Sequence, residues 1–450
     1  MVLDFLSIIK SIDAIVWGPP LIILLVGTGI FLTCRLGLIQ VFKLPLAMKL
    51  ILTAKSKGAG DISSFKALCL AMSATIGTGN IVGVATAIAV GGPGAILWMW
   101  VSAFFGMATK YSEGLLAIKF RSKDELGQVA GGPMYYIEKG LGKKYRPLAI
   151  LFAVFCVLVA FFGIGTFAQV NAIVESTNIS FGIPIYITDA VLTILVGLII
   201  FGGLKSIART ATAIVPFMAV LYFVTCLGIL LFHLPEIPAA IALIVDSAFN
   251  GHAAMGGFLG STLMMAMQNG IARGIFCNES GLGSAPIAAA AAKTDWAAEQ
   301  GLISMTGTFI DTLFICTMTG LTLVITGEWA GVHQGAAMTN AAFSYDYGSI
   351  GGIILTVCLI LFAFTTILGW NYYGERACQY LFGIKGIVPY RIIFTILVAS
   401  GAFLKLDAIW VLADIVNGLM AIPNLIALLG LSSVTVAETK KYFAHLNSKK

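Results

Sequence analysis

Apolar runs about twenty residues long recur from one end of the chain to the other, and this feature limits the fold most. A run of that length lets a helix cross the ~30 Å hydrocarbon of a bilayer with its backbone N–H and C=O groups paired internally. Eleven such runs read as helices 1 to 11, over 14–34, 64–90, 94–119, 147–174, 185–203, 209–232, 257–283, 299–327, 349–381, 388–404 and 408–431. Composition removes the alternatives. Of the 450 residues, 59% are hydrophobic and 11% charged, whereas a soluble domain carries roughly 25% charge. Disorder needs the opposite balance. An outer-membrane β-barrel needs alternating rather than continuous apolar strands. The expected class is an all-α polytopic membrane protein with 11 transmembrane helices.

A net charge of +6 would suit a nucleic-acid binder, but the basic residues are clustered in a few loops. Segment 35–66 holds Arg35, Lys43, Lys49, Lys55, Lys57 and Lys66. Segment 110–146 holds Lys110, Lys119, Arg121, Lys123, Lys139, Lys143, Lys144 and Arg146. Lys205 and Arg209, Lys293, Arg376 and Lys385, and a tail with Lys440, Lys441, Lys449 and Lys450 fall on the same side. Loops 175–184, 233–256 and 328–348 contain no Lys or Arg, and only Lys10 and Lys405 lie with them. The positive-inside rule then puts the N-terminus outside and the C-terminus in the cytoplasm, as eleven spans require. Segment 37–55, apolar with spaced lysines, reads as an interfacial amphipathic element, and 235–249 as its counterpart outside. Eight cysteines without a CxxC read as buried thiols. The N-terminus lacks the pattern of a cleavable signal peptide.

The eleven helices divide as one plus five plus five. Four segments follow: 1–63, an extra helix with the interfacial element; 64–232 and 233–431, two five-helix halves; and 432–450, a basic tail. Helices 2 and 7 start on opposite sides, so the halves are inverted. Each of these helices is rich in glycine: LCLAMSATIGTGNIVGVATAIAV holds Gly77, Gly79, Asn80 and Gly83, and GSTLMMAMQNGIARGIFCNESGLG holds Gln268, Asn269, Gly270 and Gly274. Glycines in a membrane helix often serve close packing, as in GxxxG. Glycine-broken helices at matching places in inverted halves point instead to a midplane site in a secondary transporter, with half-helix N-termini for a carboxylate and C-termini for a cation.

Other polar groups in the spans each carry two readings. Gln169 on helix 4 is either a helix–helix hydrogen bond or a ligand contact, and Phe167 alone is ordinary core. Thr365 and Thr366 on helix 9 either bond back to their own helix or give a sodium ion two hard oxygens. Trp370 is an interfacial anchor or a pocket wall. Asp311 on helix 8 is the most interior acid, a functional position by default, with Arg273 as a candidate partner. Glu279 reads as a cap at the end of helix 7. The absence of HExxH, P-loop and GxSxG motifs argues against an ATPase or hydrolase in this chain.

The stretches GGPGAILWMWVSAFFG (91–106), MSATIGTGNIVGVATAI (72–88), AGGPMYYIEKGLG (130–142) and MQNGIARGIFCNESGLGSAPIAAAAA (267–292) resemble the alanine or glycine:cation symporter family. The resemblance covers nearly the whole chain. It implies a LeuT-type 5+5 inverted repeat on helices 2–11, Na⁺ as coupling ion with no other cofactor, and uptake of alanine or glycine across a prokaryotic plasma membrane. Matching the GxGN of helix 2 to the break of LeuT-type transporters implies site residues. Thr75, Gly77, Thr78 and Gly79 surround the substrate's carboxylate and amino groups; Gln268, Asn269 and Gly270 face them; Phe167, Gln169, Thr366 and Trp370 close the pocket. One sodium ion takes Ser73, Ile76, Phe362, Thr365 and Thr366. A second takes Thr75 and Asn80, with Thr306 as a further candidate. The expected function is a sodium-coupled symporter working by alternating access. A proton-coupled carrier using Asp311, a channel and a membrane enzyme are the rivals.

Overall fold

The computed structural model describes residues 2–54, 58–250, 263–403 and 407–448. The start of the predicted helix 7 (257–262), Lys55, Lys57, His252, Lys405, Lys449 and Lys450 lie outside them. A helix stands at each of the eleven predicted positions, with boundaries that differ instructively. By length and composition seven described helices can cross a membrane, or eight when the bent halves of helix 2 count as one. The expectation of eleven crossings is therefore met only in part. Helix 5 (Ile185–Phe201) and the described part of helix 7 (Leu263–Asn278) are short. Helix 3 (Ala95–Lys119) carries Lys110 and Glu113 in its interior. Helix 9 (Ser349–Phe382) has 34 residues, about 51 Å at 1.5 Å per residue, so it must tilt in or project beyond the hydrocarbon.

Helix 1 is two pieces, Val2–Val16 and Pro19–Arg35. Pro19 and Pro20 have no N–H to continue the first piece but suit the first turn of the second. Helix 4 is also two pieces, Arg146–Phe162 and Phe167–Phe181, separated by Gly163–Thr166; together they still form one candidate span, Lys143–Phe181, as read over 147–174, with an interruption that the sequence reading did not place. The interfacial element is Ile39–Phe42 and Leu44–Thr53, and segment 235–249 lies in the helix Ile237–Asn250. Two features go beyond the sequence reading. Loop 328–348 contains a helix, Gly335–Tyr347, and the basic tail is a helix, Ser432–Asn447. The tail docks on helix 3 through Tyr111 and Thr439 (2.7 Å between hydroxyls) and through Lys119 and Glu438 (2.8 Å). Among the described residues the helical pattern is interrupted by a small hairpin, Ser122–Lys123 against Val129–Ala130, and by an isolated parallel bridge between Ile62 and Ala292.

Helix 3 lies at the centre, packed along helix 8 (Ala297–Ile325) and helix 7. Gly270 and Gly274 make the contact with helix 7 possible: a Cβ on Gly270 would stand 2.3 Å from the Ala95 carbonyl oxygen, and one on Gly274 2.5 Å from Ser102 Oγ. These glycines are a packing seam, and the helix runs unbroken through them.

Candidate functional site

Helix 2 breaks where the GTGN motif predicted. Ser64–Thr75 and Gly79–Gly91 are bent by 52°, and Ile76 between them has left the helical region (ψ 93°). The second half opens with a wide turn over Gly79–Gly83. Asn80 holds the break together. Its Oδ1 accepts from the Gly77 N–H at 3.0 Å, which fixes the amide so that Nδ2 donates to Asp311 Oδ1 at 2.7 Å. Asp311 sits in a second wide turn, Phe309–Cys316 of helix 8. Its other oxygen accepts from Thr312 at 2.8 Å, and Thr312 in turn accepts from Asn278 at 3.1 Å. All four side chains are buried. Asp311 is thus tied to helix 2, and Arg273, its partner in the sequence reading, stands elsewhere, in a cavity with Asp13 and Asp414.

Helix 9 faces the same break. A Cβ on Gly77 would lie 2.6 Å from Thr366 Oγ1, and one on Gly369 2.8 Å from Ser73 Oγ. The structure therefore brings Gly77 to Thr366 and Ser73 to Gly369. Thr365 and Thr366 both donate to the Phe362 carbonyl, at 3.1 and 2.9 Å. Both hydroxyls thus meet at one carbonyl although successive helical positions differ by about 100°, and Thr365 also reaches Met218 of helix 6 (Gly203–Phe232) at 3.5 Å. Thr306 donates to the Ile303 carbonyl at 2.6 Å. Thr75 lines a cavity of about 20 Å³ with Lys110, Glu113 and Asn278, room for about one water.

The break in helix 4 brings Phe167 and Gln169 to the first turn of its second half. Trp370 packs against this break: a Cβ on Gly165 would touch its Cβ at 2.9 Å. Trp370 is fully buried, so the interfacial-anchor alternative is excluded. Gln169 is fully buried too, and neither its oxygen nor its nitrogen has a hydrogen-bond partner among the described residues. An amide in that state costs roughly 1–3 kcal/mol unless something completes it. The helix–helix hydrogen bond considered for Gln169 is therefore not made.

The break in helix 7 lies lower than Gln268–Gly270. Its first half ends at Asn278, and the chain crosses 279–284 before the short helix Ala285–Ala289. Glu279, Gly281 and Gly283 all have positive φ there (55°, 90° and 83°). Gly79 accordingly meets Phe276 and Cys277, about nine residues, or roughly 13 Å of helix, from Gln268. Gln268 and Asn269 line the cavity that holds Arg273, and Gly270 belongs to the packing seam.

Three residues that sequence reasoning did not single out hold the helix 7 break. Glu113 Oε1 accepts from the Gly281 N–H at 3.1 Å and from Asn424 Nδ2 at 2.7 Å, and Asn424 also donates to the Gly281 carbonyl at 2.9 Å. Lys110, read with the basic loop, is buried in helix 3 within electrostatic reach of Glu113, Glu279 and Asp311. Glu279 follows the end of the first half of helix 7, as the sequence reading placed it, with its N–H donating to the Ile275 carbonyl at 2.7 Å; its carboxylate accepts from Ser284 inside the break and lies beside Trp370. An ionisable pair one turn apart inside a span, Lys110 and Glu113, was the available signal.

Three broken helices thus converge around helix 9, and comparison with known proteins agrees with that architecture. The family model for sodium:alanine symporters matches residues 3–450. The chain belongs to the sodium:alanine symporter family. The sodium/alanine symporter AgcS of Methanococcus maripaludis is 50% identical over 98% of both chains. A transporter of Haemophilus influenzae is 60% identical over 98% of this chain and 96% of its own. The solved structure of MhsT in complex with L-phenylalanine, a LeuT-fold transporter, matches with TM-score 0.56 at 14% identity over 86% of this chain and 99% of that one. Membership in this family of transporters, together with the apolar helices, makes the chain an integral membrane protein.

Proposed function

We propose that the protein is a symporter that takes up a small neutral amino acid, alanine or glycine, together with sodium, by alternating access across a prokaryotic plasma membrane. Its N-terminus is outside, and helices 2–6 and 7–11 act as inverted halves. The observation that carries this reading is the helix 2 break. The N-terminus of Gly79–Gly91 offers N–H groups and a positive dipole end to a carboxylate, while the C-terminus of Ser64–Thr75 turns carbonyls toward a cation. The C-terminal end of Leu263–Asn278 stands opposite and suits an ammonium group. We place the substrate among Thr78, Gly79, Phe276, Gln169, Phe167 and Trp370, where the unpartnered Gln169 amide gains its hydrogen bonds. We place one sodium among the carbonyls of Ser73, Ile76 and Phe362 and the hydroxyls of Thr365 and Thr366. Because Thr366 Oγ1 adjoins Gly77, we assign it to the ion rather than the pocket wall.

For the second sodium, Asp311 supports the reading better than Thr306. Both Asp311 oxygens are held by hydrogen bonds, to Asn80 and to Thr312, which fixes the carboxyl group beside the helix 2 break with lone pairs left for a cation. Radiolabelled alanine uptake into proteoliposomes under separately imposed Na⁺ and H⁺ gradients tests the whole proposal. Uptake is expected with the sodium gradient alone; uptake driven by the proton gradient alone would transfer the coupling to Asp311.

Thr366→Ala and Thr365→Ala are each expected to raise the sodium concentration for half-maximal alanine binding about ten-fold, the effect of roughly 1.4 kcal/mol for one lost oxygen ligand. An unshifted sodium titration in both folded variants would remove this ion site. Side-chain volume is expected to be read by Phe167 and Trp370. Either residue changed to Ala opens space, and each methylene a larger ligand buries there is worth about 0.8 kcal/mol. Competition binding across glycine, alanine, serine, valine and leucine should then move preference toward valine and leucine. Equal weakening of every ligand would make the rings scaffold.

A further inference from the structure

A cavity of about 240 Å³ lies above the central site, between the first piece of helix 1, the first half of helix 7 and helix 11 (Asp407–Gly430). It is on the face that the charge distribution assigns to the outside. Three formal charges line it: Asp13 from helix 1, Arg273 from helix 7 and Asp414 from helix 11. The Arg273 guanidinium is within electrostatic reach of both carboxylates, yet among the described residues it forms an ion pair with neither. It lies instead over the Phe276 ring, 5.6 Å from the centroid. Asp13 Oδ1 is buried and has no hydrogen-bond partner among the described residues. The walls are held in place. Trp17 Nε1 donates to the Asp414 carbonyl at 3.0 Å, and Gly418 lets Val16 and Trp17 seat on helix 11, where a Cβ would meet them at 2.7 and 3.2 Å.

Opposite charges close in space but unpaired ask for a ligand that carries both signs. A lone anion would reach Arg273 and be repelled by two carboxylates. A lone cation would gain the carboxylates and face the guanidinium. A zwitterion satisfies both, and the amides of Gln268 and Asn269 on the same wall can complete its hydrogen bonds. The volume is below the ~300–1,000 Å³ of sites for drug-sized ligands and equals the share of about eight waters, which suits a ligand of a few heavy atoms. Phe276 lines this cavity and also flanks Gly79, so it stands between the cavity and the central break.

We propose that this cavity is a second, outer binding site for a small free amino acid, its carboxylate on Arg273 and its ammonium between Asp13 and Asp414. The proposal rests on the reading above only in naming the amino acid. None of the residues assigned to sodium lines the outer cavity, so its occupancy is independent of that ion.

Equilibrium binding of radiolabelled alanine to the purified full-length protein tests it. The wild type is expected to bind two alanines per chain in sodium buffer and one in choline buffer. Arg273→Gln should bind one in sodium and none in choline, the retained sodium-dependent molecule showing that the variant is folded. Asp13→Asn, on a different helix, should weaken the sodium-independent molecule about ten-fold, as the loss of one charge-assisted contact implies. Ethylamine and propionate, which carry one charge each, should not displace the alanine bound in choline. One alanine per chain in sodium and none in choline, unaffected by either variant, would overturn the outer site. So would displacement by propionate alone, which would make it a simple anion site. A wild type that binds alanine in choline but gains none with sodium would leave the outer site standing and remove the central one.

Discussion

Asp311→Ala is expected to raise the sodium concentration for half-maximal alanine binding about 100-fold. The carboxylate accepts from Asn80 at 2.7 Å and from Thr312 at 2.8 Å in a fully buried setting. Removing it takes the acceptor from the Thr312 hydroxyl and leaves Asn80 Nδ2 only the Asp311 carbonyl at 3.5 Å and Cys316 Sγ at 3.2 Å; at roughly 1–3 kcal/mol for each bond lost, a loss near 3 kcal/mol corresponds to about two decades. The loss reaches the ligand because Asn80 also accepts from the Gly77 N–H. With its shortest bond gone, the amide holds the angle between the two halves of helix 2 less firmly. Asp311→Asn keeps one acceptor oxygen and should fall between the two. A sodium titration of alanine binding in detergent reads the effect. A folded Asp311→Ala protein with an unchanged titration would separate helix 8 from ion binding altogether.

The second large effect is on stability. Glu113→Ala should destabilise the protein by about 3 kcal/mol, because the Gly281 N–H and the Asn424 amide both lose their acceptor inside the bundle. Buried Lys110 at the same time loses an acidic neighbour. Glu113→Gln keeps an oxygen where these donors point and should recover most of the loss. Thermal unfolding in detergent distinguishes the two. Equal stability of Gln and Ala variants would show that Glu113 does not hold the helix 7 break through these bonds.

Where helices stand was legible in the sequence because apolar run length is a local quantity, although only seven or eight of the described helices are long and apolar enough to cross a membrane. The break in helix 2 was legible as well, since Gly77, Gly79 and Asn80 put conformational freedom and an amide together. Helix 7 offered two glycine groups with nothing in the sequence to rank them. Gly270 and Gly274 allow helix 3 to approach, whereas Gly281 and Gly283 adopt φ of 90° and 83°. Which of those two uses a glycine serves depends on the backbone standing next to it. The same limit hid the break in helix 4, where Gly163 and Gly165 sit inside a run without a charged residue.

Side-chain direction was likewise left to the tertiary structure. Thr365 and Thr366 are one letter apart, but a helix separates them by about 100°, and only packing shows that Thr366 adjoins Gly77 while Thr365 reaches Met218. Lys110 reads as one more basic residue near a loop, yet the length of helix 3 carries it inside to Glu113, Glu279 and Asp311. The sequence by itself determined a membrane-embedded helical bundle with a break in helix 2, because hydrophobic length and glycine placement are written along the chain. Which groups meet at that break was decided only when helices 7, 8 and 9 packed against it. Residues such as Asn80 and Asp311, 231 positions apart, become neighbours through packing alone.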